Sequence, residues 1–259
     1  MKRYRTSAVV SGIVGVVAAA ALGLALWQAP RGVAQEQQPI LEYPAYPPTP
    51  TIGANPQPAA SLQGAPLLSA SFDDPAALAA WEVVDFDFVL DESRAVWGVE
   101  EGRLAQQNTA AAGNPSIQET AALTGAADWA DYTAQVSFYD LDNGTAGLVA
   151  RYTGTDPRTA SYYRYRILKD AYEATPKQVL ERVEGGVATT LVEQKGPGFT
   201  PRAWHVLALR VVGTQLTVTL DGAVVAEAED ATPLAAGRAG IYTRAMGGIL
   251  FDDFSVVAP

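Results

Sequence analysis

The stretch 215-QLTVTLDGAVVAEAED-230 contains the plainest structural signal in the chain. Apolar and polar residues alternate in each half, which is the two-residue period of a β-strand with one buried face. Asp221-Gly222 stands between the halves, and an Asp-Gly pair favours the tight turn of a β-hairpin. The stretch therefore predicts two antiparallel strands joined by a short turn.

The same two-residue period continues outward from this hairpin over residues 67–259. Fourteen short apolar or aromatic segments follow one another, with turn residues such as Asn143-Gly144 and Gly185-Gly186 between them. A helical pattern appears at 75–81, where the preceding acidic pair Asp73-Asp74 can cap it. Many short strands with so little helix predict an all-β fold, a two-sheet antiparallel sandwich.

The N-terminal residues 1–29 have a different character. Lys2, Arg3 and Arg5 precede an uncharged run, AVVSGIVGVVAAAALGLALW, at 8–27. As a helix this run would be roughly 30 Å long, which matches the hydrocarbon core of a membrane, and the basic flank predicts that the rest of the chain lies outside. Two alternatives remain open: an uncleaved anchor, favoured by the length, or a signal peptide cleaved near Ala34.

Residues 30–66 contain nine prolines among 37 residues and few charges. Proline fixes φ and lacks a backbone donor, so neither helix nor sheet is expected, and the segment is predicted to be a disordered, Pro-rich linker. In polyproline II conformation it would reach on the order of 100 Å. The predicted organisation is therefore a signal or transmembrane helix, a linker, and a domain at 67–259. That domain is expected outside the cell, tethered to the cell membrane by a single span or secreted.

Composition excludes several classes of function. The chain has no cysteine and one histidine, His205, so disulfides, thiolate catalysis and cysteine zinc sites are excluded and a histidine metal cluster is not expected. The net charge is −10. Such an acidic surface repels phosphate backbones, so no nucleic-acid partner is predicted.

Landmark residues occur along the whole of 67–259 in a recognisable order. They include Phe72-Asp73-Asp74 with Trp81, Trp97-Gly98 with Glu101-Gly102-Arg103-Leu104, Asp128-Trp129, Ala146–Tyr152, Tyr162–Arg166, Trp204-His205, Leu220-Asp221-Gly222, Gly237–Ile241 and Phe251-Asp252-Asp253-Phe254. This order resembles a concanavalin A-like jelly-roll domain of bacterial extracellular proteins, the laminin G and family 16 glycoside hydrolase type. The resemblance implies the jelly-roll fold. It does not imply one function, because lectins, hydrolases and adhesion modules share the fold.

The catalytic motif of family 16 glycosidases is not present. Those enzymes carry glutamates and an aspartate on one strand, so that two carboxyls face the scissile bond. The nearest pair here, Glu181 and Glu184, is three residues apart and falls on opposite faces of a strand. No catalytic residue is assigned, and the domain is expected not to be an enzyme.

A ligand-binding face is predicted from the strand 161-SYYRYRIL-168. Tyr162, Arg164 and Arg166 share one face, while Tyr163, Tyr165 and Ile167 share the other, which is expected to be core. By the same alternation Arg151 joins the arginine face, and Glu181 or Arg182 from the next strand adjoins it. Guanidinium groups and a tyrosine ring on a concave sheet suit sugar hydroxyls or carboxylates. The alternative is a salt-bridged surface without a ligand.

A structural calcium site is predicted where the chain ends meet. The first and last strands of this sandwich are usually paired, which would bring Asp73 and Asp74 close to Asp252 and Asp253, and Ca²⁺ favours several carboxylate oxygens. Together these features predict a surface-tethered, non-catalytic module that binds a glycan or a cell-envelope protein. The alternatives are a glycoside hydrolase of the family 16-like or keto-glycoside type, and a purely structural envelope protein.

Overall fold

A computed structural model describes residues 52–53, 55, 62–87, 94–107, 119–141, 144–168, 176–244 and 248–259. The compact unit that contains them spans Ile52–Pro259. The apolar run 8–27, most of the linker and the turn residues Asp142 and Asn143 lie outside the described residues. No helix within the described ranges is long and apolar enough to cross a membrane.

Two antiparallel sheets account for the fold. The strands, in chain order, are β1 (Ala65–Ala70), β2 (Glu82–Asp85), β3 (Trp97–Glu100), β4 (Arg103–Gln106), β5 (Glu119–Thr124), β6 (Tyr132–Asp140), β7 (Thr145–Thr153), β8 (Ser161–Leu168), β9 (Lys177–Glu184), β10 (Val187–Lys195), β11 (Trp204–Val212), β12 (Gln215–Leu220), β13 (Ala223–Glu229), β14 (Arg238–Arg244) and β15 (Ile249–Ala258). Sheet A has the order β13-β12-β11-β6-β15-β4-β3, with β1 also paired to β15. Sheet B has the order β10-β9-β8-β7-β14-β5-β2.

The predicted two-sheet sandwich is confirmed, and each of the fourteen predicted segments overlaps a strand. The hairpin at Asp221-Gly222 joins β12 to β13, with both turn residues at positive φ. The helical pattern forms a 3-10 helix at Pro75–Ala80, and Asp74 caps it by accepting a hydrogen bond from the backbone N–H of Ala76. One strand, β2, was not predicted, because it has four residues and a charge at each end.

The main core fills the space between the sheets. Sheet A contributes buried side chains such as Phe138, Phe251 and Phe254, and sheet B contributes Tyr163, Tyr165 and Ile167. Trp81 closes one end of this core, since its ring packs edge-on against Phe254 at 5.0 Å. The expected core face of β8 is therefore confirmed.

A β-bulge in β7 interrupts the alternation of sheet B. The register with β8 shifts between Ala150 and Thr153, and Arg151 has a positive φ of 52°. The hydroxyl of Tyr132, a fully buried residue of β6, accepts a hydrogen bond of 2.6 Å from the backbone N–H of Arg151. This bond joins sheet A to the bulge in sheet B and satisfies a donor that the strand ladder leaves without a partner.

Replacing Tyr132 with phenylalanine removes that acceptor and leaves the buried N–H of Arg151 unsatisfied. We expect Tyr132→Phe to lower the free energy of unfolding by about 1–3 kcal/mol, measured by urea denaturation. Tyr139→Phe, at a half-buried position of the same strand, is the control and should change stability by less than about 0.5 kcal/mol. Equal effects of the two variants would contradict the role given to the hydroxyl.

Candidate functional site

The outer face of sheet B carries a second cluster of buried apolar side chains. It contains Val84, Phe86, Ala121, Leu123, Val149, Tyr152, Ala160, Tyr162, Val183 and Tyr242. Strand alternation places Arg164 and Arg166 of β8 on this face together with Tyr162, as predicted, and Glu181 is the partner of Arg164 in β9. The sequence left open whether Glu181 or Arg182 adjoins the arginine face, and in the structure the adjoining residue is Glu181.

Four charged residues form one network on this face. Arg164 donates from Nε to Glu181 Oε2 at 2.9 Å and from Nη1 to Glu119 Oε2. Arg166 donates to the two carboxylate oxygens of Glu181 at 3.1 and 3.3 Å. The two guanidinium groups of β8 thus pair with two carboxylates, Glu181 on the neighbouring strand β9 and Glu119 on β5, which is separated from β8 by β7 and β14.

The network shifts the pKa values of its members. Burial opposes ionisation of Glu181, but the guanidinium groups of Arg164 and Arg166 outweigh it and lower the pKa of that carboxyl below its ordinary value. Burial also acts against the charge of Arg164, yet Tyr242 and the two glutamates raise its pKa overall. Arg164, Arg166 and Glu181 therefore stay ionised near neutral pH, and none of these three groups is poised to transfer a proton.

Aromatic residues close this face. Phe86, which follows β2, packs against Tyr162 with 4.9 Å between ring centroids, and against Tyr242 at 6.2 Å. Tyr162 and Arg164 are only 4 and 5% exposed. The expectation of an open arginine surface is therefore wrong for these two residues, because aromatic packing and paired carboxylates bury them. That Tyr162, Arg164 and Arg166 bind a ligand stays a prediction.

Arg151 does not lie with the other arginines. The bulge turns its side chain away from the outer face, and its guanidinium donates to the backbone carbonyls of Ala130, Leu234 and Gly213 and to Asp131 Oδ1. Its carbon Cζ lies 5.9 Å from the ring centroid of Tyr163, a core residue. The prediction that Arg151 shares the arginine face was wrong, because it assumed unbroken alternation along β7.

Arg182 also lies apart from the predicted face. It pairs with Tyr163 across β8 and β9, and its guanidinium donates to Asp230 Oδ2 at 2.6 Å. The hydroxyl of Tyr163 donates to the same carboxylate oxygen at 2.6 Å. Arg182 therefore joins β9 to the segment after β13, and its predicted contact with a ligand stays a prediction.

An open cleft lies beside the closed face, along the edge strand β2. Its volume is 390 Å³, and its lining is Glu82, Val83, Val84, Asp85, Asp87, Arg94, Asp156, Pro157 and Arg158. The acidic and basic groups come from two places in the chain, the segment around β2 and the β7–β8 connection. The segment around β2 could have been recognised from 82-EVVDFDF-88, where acidic residues are interspersed with apolar ones. The predictions from sequence did not use this pattern.

Asp87 is a carboxyl of this cleft whose pKa is raised. Its Oδ2 accepts a hydrogen bond of 3.1 Å from the backbone N–H of Glu119. One side of Asp87 is exposed, yet removal of water by the surrounding protein raises the pKa of its carboxyl, and the Glu119 carboxylate raises it further against the opposing effect of that hydrogen bond. A carboxyl with a raised pKa at a cleft wall can exchange a proton with a ligand.

The pairing of the first and last strands is confirmed, since β1 lies against β15. Burial raises the pKa of Asp252 to about 6, and the nearby Asp253 and Asp73 carboxylates contribute to this rise. Asp74, in contrast, is engaged as a helix cap. Among the described residues no three His, Asp or Glu side chains are grouped so that they could hold a metal ion. Calcium at Asp73, Asp74, Asp252 and Asp253 stays a prediction.

The single histidine belongs to the core of sheet A. His205 Nδ1 lies 2.8 Å from Asp221 Oδ2, and Nε2 lies 2.9 Å from the carbonyl oxygen of Thr200. The rings of Phe138 and Phe199 pack against the imidazole. These contacts hold the β12–β13 turn against β11, so His205 has a structural role.

Glu181→Gln tests the energetic weight of the charge network. Removal of one carboxylate leaves two guanidinium groups partly uncompensated, and we expect a loss of about 3 kcal/mol in the free energy of unfolding at pH 7. Because the pKa of Glu181 is lowered in the folded state, its stabilisation is present above the ordinary carboxyl pKa and is lost as the pH falls. The difference between variant and parent should therefore shrink below about pH 4.

Glu193→Gln is the matched control for this experiment. Glu193 lies on the next strand, its side chain is 41% exposed, and its contact with Lys177 is 4.0 Å long. This substitution should cost less than about 1 kcal/mol. A Glu181→Gln effect as small as that of the control would show that the network does not stabilise the sheet.

The predicted calcium site has a direct thermal test. Binding to the folded state alone raises the thermal midpoint, so EDTA should lower the midpoint of the parent chain. The double variant Asp252→Ala, Asp253→Ala should show no response to EDTA. Identical midpoints of the parent with and without EDTA would remove calcium from the account.

Solved structures share this fold. A carbohydrate-binding module, CBM66 from Bacillus subtilis, superposes with a TM-score of 0.50 at 16% identity and covers 69% of this chain and 96% of its own. A Bacillus subtilis protein of unknown function with a galectin-like fold gives 0.55 at 13% identity, covering 75 and 96%. A Bacillus licheniformis β-glucanase gives 0.52 at 13% identity, covering 76 and 100%. These likenesses establish a jelly-roll fold that carbohydrate-binding and glycoside-hydrolase proteins use.

Sequence comparison assigns the family. A search of curated proteins found no match. Residues 70–256, which include nearly the whole sandwich, match the 3-keto-alpha-glucoside-1,2-lyase-like domain. The predicted concanavalin A-like jelly roll is confirmed, and the chain belongs to the 3-keto-alpha-glucoside-1,2-lyase-like domain family.

Proposed function

We propose that the domain binds a glycan in the cleft along β2. The observation that carries this proposal is the contrast between two neighbouring surfaces. The outer face of sheet B is closed by paired charges and aromatic packing, whereas the cleft beside it is open and has a volume of 390 Å³. Carboxylates and guanidinium groups from two segments converge there, and such groups form directional hydrogen bonds with sugar hydroxyls.

The charges of the cleft suit a neutral sugar better than an anionic one. Glu82, Asp85, Asp87 and Asp156 bring four carboxyls, against the guanidinium groups of Arg94 and Arg158. Arg158 is already paired with Asp156 at 2.8 Å, and Glu82 with Arg238 at 2.7 Å. An excess of carboxylate acceptors favours a ligand with many hydroxyl donors and no negative charge. Neutral oligosaccharides meet that requirement.

The wider proposal is a non-catalytic, extracellular module held at the cell membrane. Its support is the apolar run 8–27 and the Pro-rich linker, which predict export and a spacer. A domain on such a spacer would meet polysaccharides of the cell envelope or its surroundings. Anchoring by the N-terminal segment is part of the proposal and rests on sequence.

A second candidate is lyase or hydrolase activity on a 3-keto-glucoside, the substrate type in the family's name. A 3-keto group makes the C2 proton acidic, and elimination removes that proton to a base while the C1 substituent leaves with its oxygen. Asp87 favours this candidate, because its raised pKa and its position at the cleft wall suit a proton acceptor. Glu119 and Glu181 do not suit that role, since guanidinium groups hold them in ion pairs.

Binding is tested by isothermal titration of the domain from Ile52 with soluble oligosaccharides chosen on a glycan array. Arg158→Ala removes a guanidinium donor of the cleft and Asp87→Asn replaces a carboxylate acceptor with an amide donor, and for each we expect at least about tenfold weaker binding, equivalent to about 1.4 kcal/mol. Arg210→Ala and Asp128→Asn are the matched controls, because both residues are exposed and neither lines the cleft. Unchanged affinity in both cleft variants would refute this binding site.

The same variants separate binding from catalysis. If the module is non-catalytic, a 3-keto-glucoside should break down at the same rate with the domain as without it. Release of the C1 substituent at a rate that Asp87→Asn abolishes, with binding retained, would instead establish the lyase candidate.

A further inference from the structure

The linker touches the sandwich before the first strand begins. Trp204 Nε1 donates to the carbonyl oxygen of Gly53 at 3.2 Å. Arg103 Nη2 lies 3.5 and 3.4 Å from the carbonyl oxygens of Ile52 and Gly53. Asn55 Nδ2 donates to Ser137 Oγ at 2.9 Å and to Asp253 Oδ2 at 3.0 Å.

These contacts come from four strands that are neighbours in sheet A. Trp204, Ser137, Asp253 and Arg103 belong to β11, β6, β15 and β4, and the sheet has these strands in that order. Ile52, Gly53 and Asn55 therefore lie over the outer face of sheet A. We call the four residues the linker-docking surface. It lies on the opposite sheet from the network of Arg164 and Glu181.

Packing fixes the donor groups of this surface in place. The ring of Trp204 lies 5.5 Å from that of Tyr139, and the guanidinium carbon of Arg103 lies 5.7 Å from the ring centroid of Trp204. The Arg103 side chain is only 13% exposed although it is charged. The indole and guanidinium groups thus point to the linker from a stacked arrangement that leaves them few other orientations.

The acceptor group is positioned by backbone strain. The pairing of β15 with β6 shifts between Asp252 and Ser255, and Asp253 has a positive φ of 50°. A non-glycine residue in this region costs free energy and persists where the surroundings require it. At this bulge the carboxylate of Asp253 accepts the amide of Asn55, so the irregular backbone places a side chain where the linker needs an acceptor.

We propose that the linker-docking surface is a recognition site for an extended, proline-flanked peptide, and that its occupant is the chain's own segment 52–55. The surface donates N–H groups to two consecutive carbonyls and accepts a side-chain amide two residues later. Tryptophan and polar donors that bind the carbonyls of proline-rich segments are a known mode of peptide recognition. The docked segment extends the folded unit to Ile52 and fixes the point at which the linker leaves the domain.

The sequence of the segment supports docking. Asn55 precedes Pro56, and a residue before proline is restricted to extended conformations. Pro50, Pro56 and Pro58 further narrow the conformations of the undocked chain. A segment restricted in this way loses less entropy on docking, so a few partly exposed hydrogen bonds are enough to hold it.

Cleavage by thermolysin on the N-terminal side of Ile52 measures docking in the full-length chain, kept in mild detergent. Trp204→Phe keeps a packed ring and removes one N–H donor, and Asn55→Ala removes both amide bonds. Trp204→Phe should be cleaved at Ile52 about fivefold faster than the parent, the factor expected for one lost hydrogen bond, and Asn55→Ala, which loses two, should be cleaved at least as fast as Trp204→Phe. Thermal midpoints are recorded in parallel and should move by less than about 2 °C, because the surface is peripheral to the core.

Gln194→Ala is the matched control, since it removes an exposed amide from β10 of sheet B. It should leave cleavage at Ile52 unchanged. Parent-like rates in both docking variants would overturn the proposal. If protection of Ile52 from thermolysin disappears when the protein is diluted, the docked linker belongs to a second copy of the chain. That result would overturn the assignment to the same chain.

Discussion

Buried charges on sheet B must be paired, and this requirement determines which part of its outer face is closed. Arg164 and Glu181 are each about 5% exposed, and an isolated charge at such a depth would be very costly. Pairing with Glu119 and Arg166 lets β5, β8 and β9 carry ionised groups within an otherwise apolar face. The aromatic rings of Phe86, Tyr162 and Tyr242 then cover it, so the sheet has buried side chains on both sides.

Among the described residues, the outer face of sheet B around Arg164 is therefore closed, and the cleft with its polar groups lies at the edge of the sheet. The cleft along β2 lies there, and its Asp87 touches the network through the backbone of Glu119. Burial raises the pKa of Asp87, and the Glu119 carboxylate of the network raises it further. On the other sheet the linker-docking surface uses different residues, so the proposed glycan binding and the proposed linker docking involve separate parts of one sandwich.

Much of the fold could be predicted from sequence, because strand alternation and turn residues are local. Fourteen segments and the core face of β8 follow from that period. Arg151 was misplaced because the bulge in β7 depends on Tyr132, which lies on another sheet and whose contact no local pattern reveals. The cleft was missed for a similar reason: β2 and the β7–β8 connection are distant in sequence, and sheet topology brings them together. The predicted arginine face is closed because Glu119 and Glu181 pair with Arg164. These partners could not be predicted either, because the order of the strands in the sheet brings them together.

The most direct measurement of the central claim is NMR chemical-shift mapping of the isotope-labelled domain during titration with a bound oligosaccharide. The account predicts saturable shifts for backbone amides of Val83, Asp85, Asp87 and Arg158, with small changes for Tyr163 and for residues of sheet A. Saturable shifts confined to sheet A, with none along β2, would contradict it.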